Sequence, residues 1–163
     1  MTRLARLTAL VCLALVVAAP AARAQAGDVP PTEAAALLKW LQSGAYKAWP
    51  KESAPHRSMG AHQTLVLTYI SPALDQSLGG KAAAHPKGAA AVKELLDAGG
   101  KLAGWAVSVK TSADSDGGKG WFWYEILGTT AGSQTVANGP GVPLCVGCHT
   151  RGRDAVLTEH PLD

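Results

Sequence analysis

The sequence predicts an α+β fold: an antiparallel β-sheet with flanking helices, and a C-terminal cysteine motif. Three observations predict it. Runs of β-branched and aromatic residues recur as TLVLTYI, KLAGWAVSVK and WFWYEIL. The connections between them are dense in Gly, Pro, Ser and Asp. An apolar stretch with helical spacing, AALLKWL, precedes the first of them.

Before the fold begins, residues 1–24 combine a basic start (Arg3, Arg6), an apolar run from Leu7 to Ala19 and a small-x-small site, Ala22-Arg23-Ala24. This pattern predicts a signal peptide cleaved after Ala24, with an uncleaved anchor as the alternative. The run is shorter than the roughly 20 residues a spanning helix needs. The mature chain, residues 25–163, is therefore expected in the periplasm as a single domain with no membrane span. The net charge of +3 resides in Arg3, Arg6 and Arg23. Without them the charges balance, which argues against nucleic acid or an anionic membrane as partner. Cys12 leaves with the peptide. Cys145 and Cys148 remain, too few for a disulfide scaffold, and Met59 becomes the only methionine.

Thr32 is a cap for a helix beginning at Ala34 and ending near Ser43-Gly44. Residues 45–61 hold two prolines and mixed polarity, a loop. Thr64 to Ile70 is a strand, and Ser71-Pro72 opens a short helix, PALDQSL, halted by Gly79-Gly80. His85-Pro86-Lys87-Gly88 is a turn. Ala89 to Leu96 (AAAVKELL) fits helix or strand, with its Ala and Leu favouring helix. Lys101 to Lys110 is a strand, Ser112 to Gly120 a long turn, Trp121 to Leu127 a strand, and Thr129 to Pro143 a loop. Arg151 to Leu157 is expected to be a short helix.

The specific feature is CVGCH, Cys145 to His149. Cysteines at this spacing serve three chemistries. A dithiol redox pair sits at a helix N-terminus in a βαβ unit, which this context does not offer. A structural zinc site takes four ligands; three are present, and adjacent Cys148 and His149 are poorly disposed toward one tetrahedral ion. In covalent haem attachment, two thiols form thioethers with the vinyl groups and the following histidine ligates the iron. Cys145 and Cys148 are thus expected to hold one haem c, with His149 the proximal ligand, and export suits that chemistry. A surface disulfide beside an incidental histidine is the bland counterpart.

The sixth iron position then decides function. No methionine follows Cys148. Met59 suits packing as a lone loop thioether, yet is also available as a ligand. His56, His62, His85 and His160 are the other axial candidates, each equally at home exposed or hydrogen-bonded. Lys87 and Lys93 suit solvated charges. Trp105, Trp121, Phe122, Trp123 and Tyr124 suit core and haem-edge packing. Arg151 and Arg153 suit a surface or pairing with haem propionates. Glu94, Asp97 and Glu125 are carboxylates able to shuttle protons, with a surface position the plainer expectation for each.

Export, a sheet-rich middle and one C-terminal haem motif together resemble the cytochrome P-460 family, including the cytochromes c′-beta. The matching stretches are PHRSMGAHQTLVLTYIS, HPKGAAAVKELLDAGGKLAGWAVSVK, GGKGWFWYEI and CVGCHTRGRDAVLT. The resemblance implies an antiparallel sheet with flanking helices, commonly in a homodimer. It implies that AAAVKELL is a strand with Val92 and Leu95 on opposite faces, and an iron often five-coordinate. Members that oxidise hydroxylamine cross-link a lysine to the porphyrin, and Lys87 or Lys93 falls in that region. Members with an apolar distal wall bind NO without that turnover. The expected function is a haem protein that binds or transforms small nitrogen-oxide ligands such as NO and hydroxylamine. A redox partner protein is a further expected partner. The alternative is a simple electron-transfer c-type cytochrome with a six-coordinate haem.

Overall fold

A computed structural model describes residues 29–62 and 65–163. The signal peptide expected at residues 1–24 lies outside them. Helix α1 (Ala34–Ser43) starts where expected, but its cap is Glu33 rather than Thr32: the carboxylate accepts from the Ala35 and Ala36 amides at 3.0 and 2.8 Å. Gly44 closes it in the left-handed region, φ 71°, its N–H bonded to the Leu41 carbonyl. Leu37, Leu38 and Leu41 form the buried stripe. The expected loop after it contains a 3-10 helix, Ala45–Ala48, and a two-residue strand β1, His56–Arg57.

Strand β2 (Leu65–Ile70) leads into α2 (Pro72–Gly79). Ser71 caps α2 and Pro72 sits in the first turn, where its missing N–H costs nothing. Strand β3 (Ala90–Leu96) follows, then β4 (Leu102–Lys110) and β5 (Trp121–Leu127). The helix-leaning composition of AAAVKELL is thus overruled, and the strand that the family resemblance implies is the one observed. The predicted loop from Thr129 to Pro143 holds a further strand, β6 (Gln134–Pro140). The helix predicted over Arg151–Leu157 is absent. Helix α3 is instead Pro143–His149 and carries the cysteine motif itself, while Arg153 and Val156 close a tight turn.

The class is α+β. Among the described residues the strands form one six-stranded antiparallel sheet in the order β1-β2-β3-β4-β5-β6. Cross-strand pairing sorts side chains onto two faces. One face carries Leu67, Tyr69, Val92, Trp105, Val107, Phe122, Tyr124 and Ile126, buried beneath α1. The other carries Ile70, Trp121 and Trp123, packed against α2 residues Leu74 and Leu78, with Cys145 and Val146 of α3 lying on them. On the same face as Ile70 and Trp123, the α3 side, the register aligns Thr68, Lys93, Ala106 and Glu125 in one row. Among the described residues no helix is long and apolar enough to cross a membrane.

Candidate functional site

Pro143 starts α3 and the helix lasts only to His149, so Cys145 and Cys148 stand one turn apart on a short helix. Both thiols are half-buried and, among the described residues, unpaired. Burial pushes the Cys145 thiol up to about 11, with the charges of Glu125 and Cys148 adding to it. That direction is opposite to the lowered thiol pKa of an activated dithiol pair. Among the described residues no three His, Cys, Asp or Glu side chains gather as a metal-binding cluster, so Cys145, Cys148 and His149 do not converge on one ion.

His149 lies edge-on to Trp123, ring centroids 4.6 Å apart. Its Nδ1 is 3.0 Å from the Ala155 carbonyl oxygen. A carbonyl only accepts, so Nδ1 carries the proton and Nε2 keeps its lone pair free. Burial holds the His149 pKa below its ordinary value; the Ala155 bond opposes this, and Lys93 and His62 reinforce it. The imidazole is therefore neutral, the form that binds metal.

The Ala155 carbonyl is aimed by an unusual loop. Asp154 and Ala155 are consecutive non-glycine residues in the left-handed region, at φ 51° and 66°. Each such residue costs on the order of 1–3 kcal/mol unless its surroundings hold it. Gly152 allows the loop to close, because a Cβ there would lie 2.1 Å from the Val156 carbonyl oxygen. Burial alone would raise the Asp154 pKa; hydrogen bonds from Lys110, Ser115 and the His85 amide outweigh it and hold the carboxyl below its usual range.

The sheet brings a polar group to the same side. Lys93 and Glu125 share a row, and both act electrostatically on His149, as does His62. His62 Nδ1 is 3.4 Å from Glu125 Oε2 but is buried without a hydrogen bond among the described residues. Lys93 is half-buried rather than a solvated charge: burial lowers its pKa, and Glu52 and Glu125 oppose this. Lys87 is exposed in the turn before β3. The surface position expected for Glu125 is also corrected, since its carboxylate is largely covered beside His62.

The other predicted residues do not join this group. Met59 is fully exposed, so it does not pack as expected. His56 lies at the surface against Glu52, and His160 pairs with Asp75 at 3.0 Å. His85 is buried, its Nδ1 2.9 Å from Ser77 Oγ. Glu94 is buried on the opposite face beneath α1, and Asp97 is exposed in the β3–β4 turn. Trp105, Phe122 and Tyr124 also belong to that opposite core, leaving Trp121 and Trp123 on the α3 side. Arg151 and Arg153 are exposed. The sequence reasoning missed Lys110, Ser115, Asp154 and Ala155, for which only the run of turn-forming residues gave a hint. The α3-side position of Glu125 was available from strand alternation with Trp121 and Trp123. No protein-family model matches the chain, and no curated protein matches it.

Proposed function

We propose that the protein is an exported mono-haem c-type cytochrome of the cytochrome P-460-like kind, active in the periplasm, that binds or transforms small nitrogen-oxide ligands such as NO and hydroxylamine at an open haem face. The observation that carries this reading is the CVGCH helix, with two unpaired thiols and a neutral histidine whose Nε2 is free. The residues fit the group on three counts. The thiols are available for thioether bonds, the imidazole is held in the ligating tautomer, and the aromatic wall of Trp121 and Trp123 supplies a dry flank. Haem held there would supply an iron centre able to bind small ligands and exchange single electrons.

The chain's own part follows from the row beside His149. Glu125 and His62, with Oε2 and Nδ1 3.4 Å apart, are a carboxylate and an imidazole able to handle a proton beside His149 once a hydrogen bond forms between them. Lys93, half-buried with a lowered pKa, spends more time as a free amine than an exposed lysine does. Of the two lysines that the family resemblance offers for a porphyrin cross-link, its position favours Lys93 over Lys87. The homodimer and a redox partner protein belong to the same reading.

A six-coordinate electron-transfer cytochrome is the second reading. It is favoured by His62, whose buried Nδ1, near His149, has no hydrogen bond among the described residues. The optical spectrum of the reduced protein separates the two. The first reading expects CO or NO to change the ferrous spectrum. An unchanged spectrum overturns it, and His62→Ala should then restore CO binding. His149→Ala is expected to lose proximal ligation, and an unaltered Soret band would refute that role. If Lys93 is cross-linked, the ferrous Soret band is strongly red-shifted and Lys93→Met returns it to an ordinary c-type position. Turnover of hydroxylamine with an electron acceptor distinguishes an enzyme from a ligand binder.

A further inference from the structure

We propose that Asp154 is a positioning residue for His149: held by Lys110, Ser115 and the His85 amide, it locks the loop after α3 so that the Ala155 carbonyl accepts the hydrogen bond from Nδ1–H of the imidazole. Its effect on iron rests on the haem reading above; the geometry does not.

Two consecutive left-handed non-glycine residues have no local reason to form, so contacts from elsewhere must impose them. Three donors from separate parts of the chain converge on the Asp154 carboxylate. Lys110 Nζ, at the end of β4, reaches Oδ2 at 2.5 Å. The His85 amide, between α2 and β3, reaches the same oxygen at 2.5 Å. Ser115 Oγ, in the β4–β5 hairpin, donates to Oδ1. The direction of the Ser115 bond follows from its neighbours. Ser115 Oγ accepts from Lys110 Nζ at 2.8 Å and from Trp121 Nε1 at 2.9 Å, so its own proton goes to Asp154. The Lys110 side chain is fully buried and lies 5.7 Å from the Trp121 ring centroid.

A buried ion pair contributes little net stability once desolvation is counted, but it can select one conformation over its competitors. Here the selected conformation orients a histidine. A bond from Nδ1–H to a carbonyl fixes the tautomer and raises the basicity of Nε2. A more basic axial ligand favours the ferric state. Asp154 does not touch the imidazole, so its influence runs through the Ala155 backbone.

The test compares Asp154→Asn and Ser115→Ala with the wild type, using Asp75→Asn as control because its carboxylate, among the described residues, bonds only the surface His160. In haem-loaded protein, resonance Raman of the ferrous form should show the iron–histidine stretch moving to lower frequency in Asp154→Asn. At a fixed poised potential the ferrous-to-ferric ratio should rise on the order of fivefold, the worth of one net hydrogen bond. That is about 40 mV at 59 mV per tenfold. Ser115→Ala should move both in the same direction by less, and Asp75→Asn should move neither. If Asp154→Asn fails to fold, Ser115→Ala decides. Unchanged stretch and ratio in a variant that carries intact haem overturn the proposal. A wild type without haem overturns the cytochrome reading instead. The clamp is then read from the imidazole 15N shifts of His149: a pure Nδ1–H tautomer in the wild type and a mixture in the variants support it, and identical shifts overturn it.

Discussion

At the scale of single residues, the α1 side of the sheet holds a polar group as closely satisfied as the one around Asp154. Tyr46 Oη donates to Glu94 Oε1 at 2.5 Å and accepts from Trp105 Nε1 at 2.9 Å. Lys47 approaches the same carboxylate oxygen at 3.8 Å from the surface. Burial, reinforced by the bond to Glu94, drives the Tyr46 pKa far above its ordinary value, so the hydroxyl keeps its proton and donates. Tyr46→Phe removes a donor from Glu94 and an acceptor from Trp105 together. Each buried group left unpaired costs about 1–3 kcal/mol. The urea midpoint of the variant should therefore fall with its slope unchanged, and an unmoved midpoint would show that Glu94 finds water instead. Since Tyr46 lies across the sheet from His149, the optical spectrum should stay as in the wild type.

At the scale of elements, Ser71 joins two of them. Its Oγ accepts from the Leu74 amide at 3.3 Å, capping α2, and from the Ala90 amide at 3.0 Å, at the first residue of β3. Ser71→Ala is expected to cost about 1–2 kcal/mol, and Ser71→Asp to recover part of it; equal melting temperatures for all three proteins would contradict the double role. What the sequence disclosed divides at this scale. Strands β2, β4 and β5 were legible because β-branched and aromatic residues alternate along them. Strand β3 was not legible from composition, since its Ala and Leu favour helix. The weak propensity yields to pairing with β2 and β4 on both sides. Strand β6 was hidden by Gly139 and Pro140, which an edge strand paired only with β5 tolerates. In the candidate site the cysteines and His149 were legible from spacing. The Asp154–Ala155 loop was not, because its conformation depends on Lys110, which lies 44 residues away in sequence.

At the scale of the whole molecule, the α3 side of the sheet couples stability to pH through its buried groups. Burial holds His85 below its ordinary 6.5; Asp154 and the Arg153 backbone oppose this, and the charges of Arg153 and Lys110 support it. The unfolded chain therefore takes up that proton first. The His85 contribution is complete above pH 6.5 and is lost as pH falls from 6.5 through the lowered folded value. Asp154 acts lower down: its folded pKa lies below 3.8, so its contribution is present above 3.8 and disappears as pH falls through the folded value. Melting temperature against pH should thus descend in two stages, the first starting near 6.5 and the second below 3.8. His85→Asn, which retains a group able to meet Ser77 Oγ, should make the first stage shallower and leave the second in place. Asp154→Asn should remove the second stage and, by taking away a charge that opposes the His85 depression, deepen the first. A single descent unaffected by either change would mean that the His85 and Asp154 contacts do not hold the helices to the sheet.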